Sequence, residues 1–387
     1  MLQKLIHTCL AGGSPTDPQT RQRCGSIAGK VGIGANLLLF LVKSGAGLFT
    51  GSVAMVADAV NNLADAAGSV VTLVGFHLAG KQADADHPFG HGRMEYVAGL
   101  IVSMAILVMG FELLKTSVSA IFHPAAAVFS PLAAGLLLCA IGVKCFLYRF
   151  NKVLGRTIGS AAMEATAADS LSDCAATGAV LLSSFLGQFT AFPVDAVAGV
   201  LVSGFIFKAG WDSIRATTDP LLGKPMDPEL AADIDALAVS HDYILGIHDL
   251  VYHDYGPGRA MMSFHAEVPA DSDLLAIHDM IDHIEREMKA KHHIETVIHM
   301  DPIVNDERTT ALRAEITKLA MEIGEELTIH DFRITAGPIH TNVLFDVVVP
   351  FNFRLTDDQV RSELVLGIKA LSPRYFPVIH VDRPFIE

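Results

Sequence analysis

The chain has 387 residues, of which 51% are hydrophobic and 18% are charged, and its formal net charge at pH 7 is -14. Its mean hydropathy of +0.41 is too high for an ordinary soluble protein of this size, which indicates a membrane protein. The sequence has no basic patch with interleaved aromatic residues, so nothing in it suggests nucleic-acid binding.

Charge is distributed unevenly along the chain. Residues 1–219 carry 14 Lys and Arg against 13 Asp and Glu, whereas residues 220–387 carry 14 against 29. The first part is therefore apolar and nearly neutral, and the second part is acidic. This change in composition predicts a membrane domain followed by a soluble region.

The N-terminal residues resemble a signal peptide only in part. Met1–Gly13 contains a lysine and a short apolar run, but His7 and Gly12 interrupt the run and polar residues follow it. These features predict a cytoplasmic N-terminal arm over residues 1–28 rather than a cleaved leader.

Six apolar segments follow, each close to the roughly 20 residues that a helix needs to cross a bilayer. They are Val31–Leu48, Val53–Leu78, Val97–Ile121, Val128–Tyr148, Ile158–Phe185 and Val194–Ile214. Lys and Arg occur in every second connection between these segments. The links around Gly51, Pro124 and Gly187 have none, whereas the others carry Arg21, Arg23, Lys30, Lys81, Arg93, Arg149, Lys152, Arg156, Arg215 and Lys224. By the positive-inside rule, both termini are expected in the cytoplasm.

Two of the apolar segments carry polar residues spaced four apart. Asn61 and Asp65 lie in the second segment, and Asp169 and Asp173 lie in the fifth. Residues i and i+4 share one face of a helix, and each carboxylate at the bilayer centre costs about 2.5–3.5 kcal/mol. Three carboxylates and one amide suit hard ions such as Mn²⁺, Mg²⁺ or Ca²⁺. The alternative is that these residues hydrogen-bond between packed helices.

A second cluster of metal-ligand residues lies in the link between segments two and three. Asp84, His87 and His91 fall within eight residues of one another. A carboxylate and two imidazoles at this spacing are typical of a metal site. The alternative is an ordinary polar loop.

The soluble region contains an internal repeat. The first copy reads ILGIHDLVYH, MMSFHAEVP and ETVIHMDP, and the second reads LTIHDFRI, NVLFDVVVP and FPVIHVDRP. Helical patterns, Leu274–Lys289 and Asp357–Leu371, separate the last two strands of each copy, and Pro228–Val239 and Asp306–Ile323 precede the copies. Each copy therefore predicts a small α+β domain with helices on one face of a sheet. The expected boundaries are 29–219 for the membrane domain and 220–303 and 304–387 for the soluble domains.

Histidines recur at the ends of these predicted strands and helices. His248, His265, His278, His299 and Asp301 form a candidate metal site in the first copy, although single histidines on strands are often structural. The second copy keeps His330, His380 and Asp382. It has Asp346 in place of His265 and Gln359 in place of His278, which predicts that its site is partly lost.

The stretch from Asn61 to Arg93, above all the DHPFGHGRMEY run from Asp86 to Tyr96, resembles the cation diffusion facilitator family. The resemblance extends from Val31 to about Pro302 and includes IHDL and VIHMDP. It implies a homodimeric metal/proton antiporter with six transmembrane helices and a ferredoxin-like α+β cytoplasmic domain, here present as two tandem copies. It also implies a transport site (Asn61, Asp65, Asp169, Asp173), a loop site (Asp84, His87, His91) and a cytoplasmic site (His248, His265, His278, His299, Asp301).

The ligand set departs from that of zinc-transporting members, which carry a histidine in the transport site. Asn61 with an aspartate pair on the fifth segment resembles the manganese-exporting branch. The resemblance therefore favours Mn²⁺ as the exported ion, with Zn²⁺, Fe²⁺, Co²⁺ or Cd²⁺ as alternatives. The extra repeat from Asp306 to Glu387 lies outside the common family pattern.

The expected function is efflux of a divalent metal ion across a bacterial cytoplasmic membrane in exchange for protons. Arg93 and Asp219 could form an intracellular charge lock, or could be separate solvated charges. Rival functions are a metal sensor that moves no ions, a carrier of organic cations, and an intramembrane metalloenzyme. The sequence has no HExxH motif and no nucleophile paired with a base, so we do not expect an enzyme.

Overall fold

The computed structural model describes residues 9–10, 13–15, 17–50, 53–122, 131–186, 189, 194–304, 306–337 and 339–384. The chain forms two compact units. The first comprises Met1–Lys224 together with Asp254–Arg259, and the second comprises Pro225–His253 together with Ala260–Glu387.

Six long helices build the first unit. They are α1 (Pro18–Thr50), α2 (Val53–Ala79), α3 (Met94–Phe122), α4 (Pro131–Ile158), α5 (Ala161–Leu186) and α6 (Val194–Leu222). Helix α1 packs on α2, α3 packs on α6, and α5 contacts α2, α3, α4 and α6. The fifth helix therefore lies among most of the others.

Five of these six helices are long and apolar enough to cross a membrane, and α5 is the exception. Large apolar side chains point outward from them, among them Leu41 at 65% exposed, Val108 at 64% and Leu201 at 71%. Helices suit this setting because each satisfies its own backbone hydrogen bonds without water. Helix α5 is less apolar because it carries Glu164, two aspartates and several serines.

Several helix ends differ from the prediction. Helix α1 begins at Pro18 and α4 continues to Ile158, so Lys30, Arg149, Lys152 and Arg156 lie within helices and not in links. Helix α4 ends where Gly159 adopts a φ of 60°, a left-handed conformation that favours glycine. The predicted ends followed the apolar runs, but these helices continue through the polar residues beside them. The links predicted around Gly51 and Pro124 lie outside the described residues.

The second unit contains both copies of the repeat. The first copy is α7 (Pro228–Val239), β1 (Gly246–Asp254), β2 (Ala260–Pro269), α8 (Leu274–His292) and β3 (Ile294–Ile303). The second is α9 (Glu307–Ile323), β4 (Thr328–Ala336), β5 (Thr341–Val348), α10 (Asp357–Leu371) and β6 (Tyr375–Asp382). The predicted order of helices and strands is present in both.

Each copy forms a three-stranded sheet, in the order β1-β2-β3 or β4-β5-β6. The last two strands are parallel in both, with His265 beside His299 and Asp346 beside His380. Each copy also has its own apolar core. Phe264 and Ile281 are buried in the first, and Phe345 and Leu364 are buried in the second.

Capping residues mark where the helices of the soluble region begin, which explains why their positions can be predicted from the sequence. Asp227, Asp273, Asp306 and Thr356 each accept a hydrogen bond from a backbone N–H in the first turn of the helix that follows. Such a bond satisfies a donor that the helix itself leaves unpaired.

Candidate functional site

The two polar pairs of the membrane helices lie on α2 and α5, which contact each other. Asp65 on α2 is 9% exposed. One hydrogen bond between the helices joins the hydroxyls of Thr72 and Thr166 at 3.1 Å. It lies two turns beyond Asp65 on α2 and one turn before Asp169 on α5. The structure therefore brings the aspartate-bearing segments of the two helices side by side.

A lysine that the sequence analysis did not single out joins these aspartates. Lys144 on α4 is 4% exposed. Its Nζ donates to Asp65 Oδ2 at 2.7 Å and to Asp173 Oδ2 at 2.5 Å. The two carboxylate oxygens therefore lie within reach of a single cation. A lysine within an apolar segment is costly in a membrane, and this was the available signal.

The other two predicted ligands are placed differently. Asp169 lies one turn before Asp173 and interacts electrostatically with Asp173, Asp65 and Lys144. The side chain of Asn61 is exposed, whereas that of its neighbour Asn62 is 3% exposed. The structure thus brings three carboxylates together and does not bring Asn61 into the same buried cluster.

The loop between α2 and α3 gathers its three predicted ligands. His87 Nδ1 lies 3.4 Å from Asp84 Oδ1, and His91 Nε2 lies 3.5 Å from Asp84 Oδ2. The Asp84 carboxylate also accepts a hydrogen bond from the backbone N–H of His87 at 2.8 Å. This bond is the main reason that the pKa of Asp84 is lowered, and the two histidines add to it. The loop presents one carboxylate and two imidazoles on a common point, as a metal site requires.

Arg93 has partners other than the predicted one. Its Nε donates to the backbone oxygen of Asp254 at 2.8 Å, and its guanidinium lies over the ring of Tyr255 at 4.7 Å. Tyr96 donates to the Asp254 carboxylate at 2.7 Å. Among the described residues, the ion pairs include none between Arg93 and Asp219, so the charge lock is absent from this conformation.

Four of the five predicted cytoplasmic ligands lie together at the strands of the first copy. His265 Nδ1 is 2.9 Å from Asp301 Oδ2, and His248 Nε2 is 3.3 Å from the same oxygen. His299 Nε2 is 3.4 Å from Asp301 Oδ1. The fifth, His278, lies on α8 and pairs with Asp282 at 3.8 Å.

These contacts shift the pKa values of the cluster. Burial alone would lower the pKa of His248, but hydrogen bonds to Asp249 and Asp301 outweigh it and raise the pKa to about 9. The hydrogen bond from His248 lowers the pKa of Asp249. Burial would raise the pKa of Asp301, but the bonds from His248 and His265 lower it. The cluster therefore favours ionised carboxylates beside a protonated imidazole. A bound cation can supply the positive charge in place of the imidazole proton.

Comparisons with known proteins show the family to which the chain belongs. Residues 30–222 match the cation efflux transmembrane domain, and residues 226–303 match the cytoplasmic domain of cation efflux proteins. The manganese efflux system protein MneS of Bacillus subtilis is 30% identical over 276 residues, covering 70% of this chain and 94% of the relative. The chain belongs to the cation diffusion facilitator family.

Other relatives extend the picture of this transporter. The cation-efflux pump FieF of Shewanella oneidensis is 27% identical over 278 residues, covering 72% of this chain and 94% of the relative. Metal tolerance protein C1 of Arabidopsis thaliana is 26% identical over 400 residues, covering 91% of this chain and 83% of the relative. The alignment with metal tolerance protein C1 is long enough to include part of the second soluble copy.

Membership of the family settles the class of activity. The chain is a multi-pass membrane protein that exports divalent metal cations, and it is a transporter rather than an enzyme. The soluble region includes the domain that serves for dimerisation in this family.

Proposed function

We propose that this transporter exports Mn²⁺ in exchange for protons, and that Asp65, Asp169 and Asp173 hold the ion with Asn61. The single observation that carries the proposal is the shared ammonium of Lys144, 2.7 Å from Asp65 Oδ2 and 2.5 Å from Asp173 Oδ2. An ion that displaces this ammonium meets two carboxylates already facing one point. Asn61 joins them through a rotation of α2 that accompanies loading.

The donor set supports manganese. Carboxylate and amide oxygens are hard ligands, which suit Mn²⁺ better than the softer sites of imidazole and thiolate that hold Zn²⁺. The manganese efflux proteins MneS and MneP of Bacillus subtilis are 30% and 28% identical to the chain. Export of Zn²⁺, Fe²⁺, Co²⁺ or Cd²⁺ by the same route is the alternative.

Proton exchange follows from the chemistry of the ligands. A carboxylate binds metal only when it is deprotonated, so an entering ion releases protons from the site. Protons that return from the other side of the membrane then release the ion. In this proposal a proton gradient across the bacterial cytoplasmic membrane drives the cycle.

The remaining organisation is proposed on the same basis. Helix α5 completes a set of six spans, because its two aspartates are half-buried and Ser170, Ser172 and Ser183 are buried, so these polar groups are shielded from lipid. Both termini lie in the cytoplasm, where the loop site receives ions and the first soluble copy binds them. Two chains form a homodimer. The lock between Arg93 and Asp219 forms in a conformation other than the one described.

A competition assay tests the choice of ion. Protein in liposomes with an imposed pH gradient is offered Mn²⁺ with each of Zn²⁺, Fe²⁺, Co²⁺ and Cd²⁺ in turn, and internal metal and pH are followed together. We expect Mn²⁺ to be preferred and its flux to dissipate the pH gradient. Preference for Zn²⁺ would overturn the choice of ion, and flux without proton movement would overturn the exchange.

A further inference from the structure

Equivalent His–Asp pairs lie near the start of the two soluble copies. His248 and Asp249 belong to β1, and His330 and Asp331 belong to β4, 82 residues later. Asp249 and Asp331 have φ values of 51° and 50°. A positive φ is uncommon for residues other than glycine. Both copies therefore carry the same backbone kink directly after the same histidine.

These histidines meet between the copies. The ring centroids of His248 and His330 are 4.5 Å apart, with 33° between the ring planes. His330 Nε2 lies 3.6 Å from Asp249 Oδ1 in the first copy and 3.8 Å from Asp382 Oδ2 in its own copy. Carboxylates from both copies thus lie near His330 Nε2, and the other oxygen of Asp382 lies 2.8 Å from His380 Nδ1.

The imidazole of His330 is buried without a hydrogen bond. The residue is 8% exposed, and neither ring nitrogen has a hydrogen-bond partner within the described part of the chain. The Nε2 atom of His248 is also buried, and it lies 3.3 Å from Asp301 Oδ2. A buried polar atom without a partner destabilises the fold, so these nitrogens are suited to a ligand from outside the chain.

The distances fit a metal ion better than direct pairing. At 3.6 and 3.8 Å, the carboxylates lie beyond hydrogen-bond range of His330 Nε2. Donor atoms of His248, Asp249 and His330 all lie within 4.8 Å of one another. Ligands of one tetrahedral zinc ion, at about 2.0–2.2 Å from the metal, are about 3 to 4 Å apart.

We propose that His248, Asp249, His330 and Asp382 bind a divalent transition metal between the two soluble copies. Two imidazoles and two carboxylates suit Zn²⁺ or Co²⁺. The site ties the copies together, because each supplies two ligands. His248 also faces Asp301, so the inter-copy site adjoins the cluster of the first copy. The proposal depends neither on the exported ion nor on the driving force of export.

The test is a metal count on full-length protein in detergent. Metal-free protein is dialysed against Zn²⁺ of known free concentration, and bound zinc per chain is measured by mass spectrometry of the metal. His330→Gln removes the unpaired imidazole, and His340→Gln removes a histidine from the same copy that packs on Phe376. We expect one fewer zinc per chain in His330→Gln and no change in His340→Gln, while zinc at the other sites affects both variants equally.

A second variant and a spectroscopic signal guard against misfolding. Asp382→Asn should also lose one zinc, and both variants should keep the wild-type far-ultraviolet circular dichroism. With Co²⁺ instead of Zn²⁺, His330→Gln should lose part of the visible absorption of tetrahedral cobalt. If the folded His330→Gln and Asp382→Asn proteins bind as many ions as His340→Gln with the same affinity, the site does not exist and His330 is only a buried histidine.

Discussion

Asp65 and Asp173, on two different helices, share one partner, the ammonium of Lys144 on a third. With Asp169, these groups leave two net negative charges when all four are ionised, which matches one divalent cation. In the conformation described, the ammonium lies between the carboxylates, at the place that we propose for the transported ion. In this proposal Lys144 is a counter-charge that the ion displaces.

Replacing Lys144 with methionine should impair the transport cycle. Without the ammonium, Asp65 and Asp173 face each other unpaired when no ion is bound, and removing one partner of a buried ion pair costs about 3–5 kcal/mol. We expect a lower melting temperature for the metal-free protein, a larger rise on adding Mn²⁺, and at least a tenfold slower flux, because the ion no longer has a competitor that promotes its release.

The control is Lys318→Met. Lys318 pairs with Glu322 at 4.0 Å on the exposed face of the soluble helix α9, where ion pairs contribute little. It should keep wild-type flux and melting temperature. If Lys144→Met behaves in the same way as this control, Lys144 has no part in the cycle.

The loop ligands should govern how efficiently the transporter collects ions at low concentration. We expect Asp84→Asn, or His87→Ala with His91→Ala, to raise the half-saturating Mn²⁺ concentration about tenfold while the maximal flux stays within twofold, because the membrane site is intact. Asp86→Asn, in the same loop but outside this triad, is the control. A loss of maximal flux at unchanged half-saturation would show that the loop acts on transport and not on capture.

A buried ion pair joins the first turns of α1 and α3, which we predict to lie on the cytoplasmic side. Arg21 Nη2 donates to Glu95 Oε1 at 2.9 Å, and both side chains are at most 6% exposed. Glu95→Gln leaves the guanidinium without its counter-charge, which should destabilise the protein by roughly 3–5 kcal/mol. Thermal unfolding in detergent measures this. Glu322→Gln on the exposed face of the soluble helix α9 should change stability by less than about 1 kcal/mol, and equal melting temperatures for the two variants would refute the importance of the pair.

Stability of the metal-free soluble region should depend on pH through His248. Its pKa is about 9 in the folded protein, against an ordinary value of 6.5. A raised pKa means that the folded state binds the proton more tightly, so the stabilisation is complete below pH 6.5 and is lost as pH rises through 9. Urea midpoints of residues 225–387 in EDTA, followed by circular dichroism, should fall over that range. His248→Gln should flatten the dependence, and a wild-type midpoint that stays constant would contradict the assignment.

The sequence predicted the order of helices and strands well, because apolar length, helix caps and strand alternation are local signals. It predicted the ends of α4 poorly, since Arg149, Lys152 and Arg156 continue the helix beyond the apolar run until Gly159 ends it. Polar side chains at a helix end leave the backbone hydrogen-bonding pattern intact, and the helix ends only where the backbone turns at Gly159.

Site residues were predicted correctly where their spacing along a single segment brings their side chains together. The i, i+4 rule placed Asp169 near Asp173, and closeness in sequence identified the loop ligands. The same rule selected Asn61, whereas the structure buries Asn62. The bridging role of Lys144 and the meeting of His248 with His330 depend on how separate elements pack. No periodicity in the sequence encodes such contacts between elements.

The most direct test of the account is the flux of Mn²⁺ into proteoliposomes under an imposed pH gradient, measured for wild type, Asp65→Asn, Asp173→Asn and the surface control Asp358→Asn, which lies on the soluble helix α10. Because the proposed site holds one ion with both carboxylates, we expect each of the first two variants to lose at least 99% of the flux while remaining folded, and the control to keep it. Wild-type flux in either Asp65→Asn or Asp173→Asn would contradict the central claim.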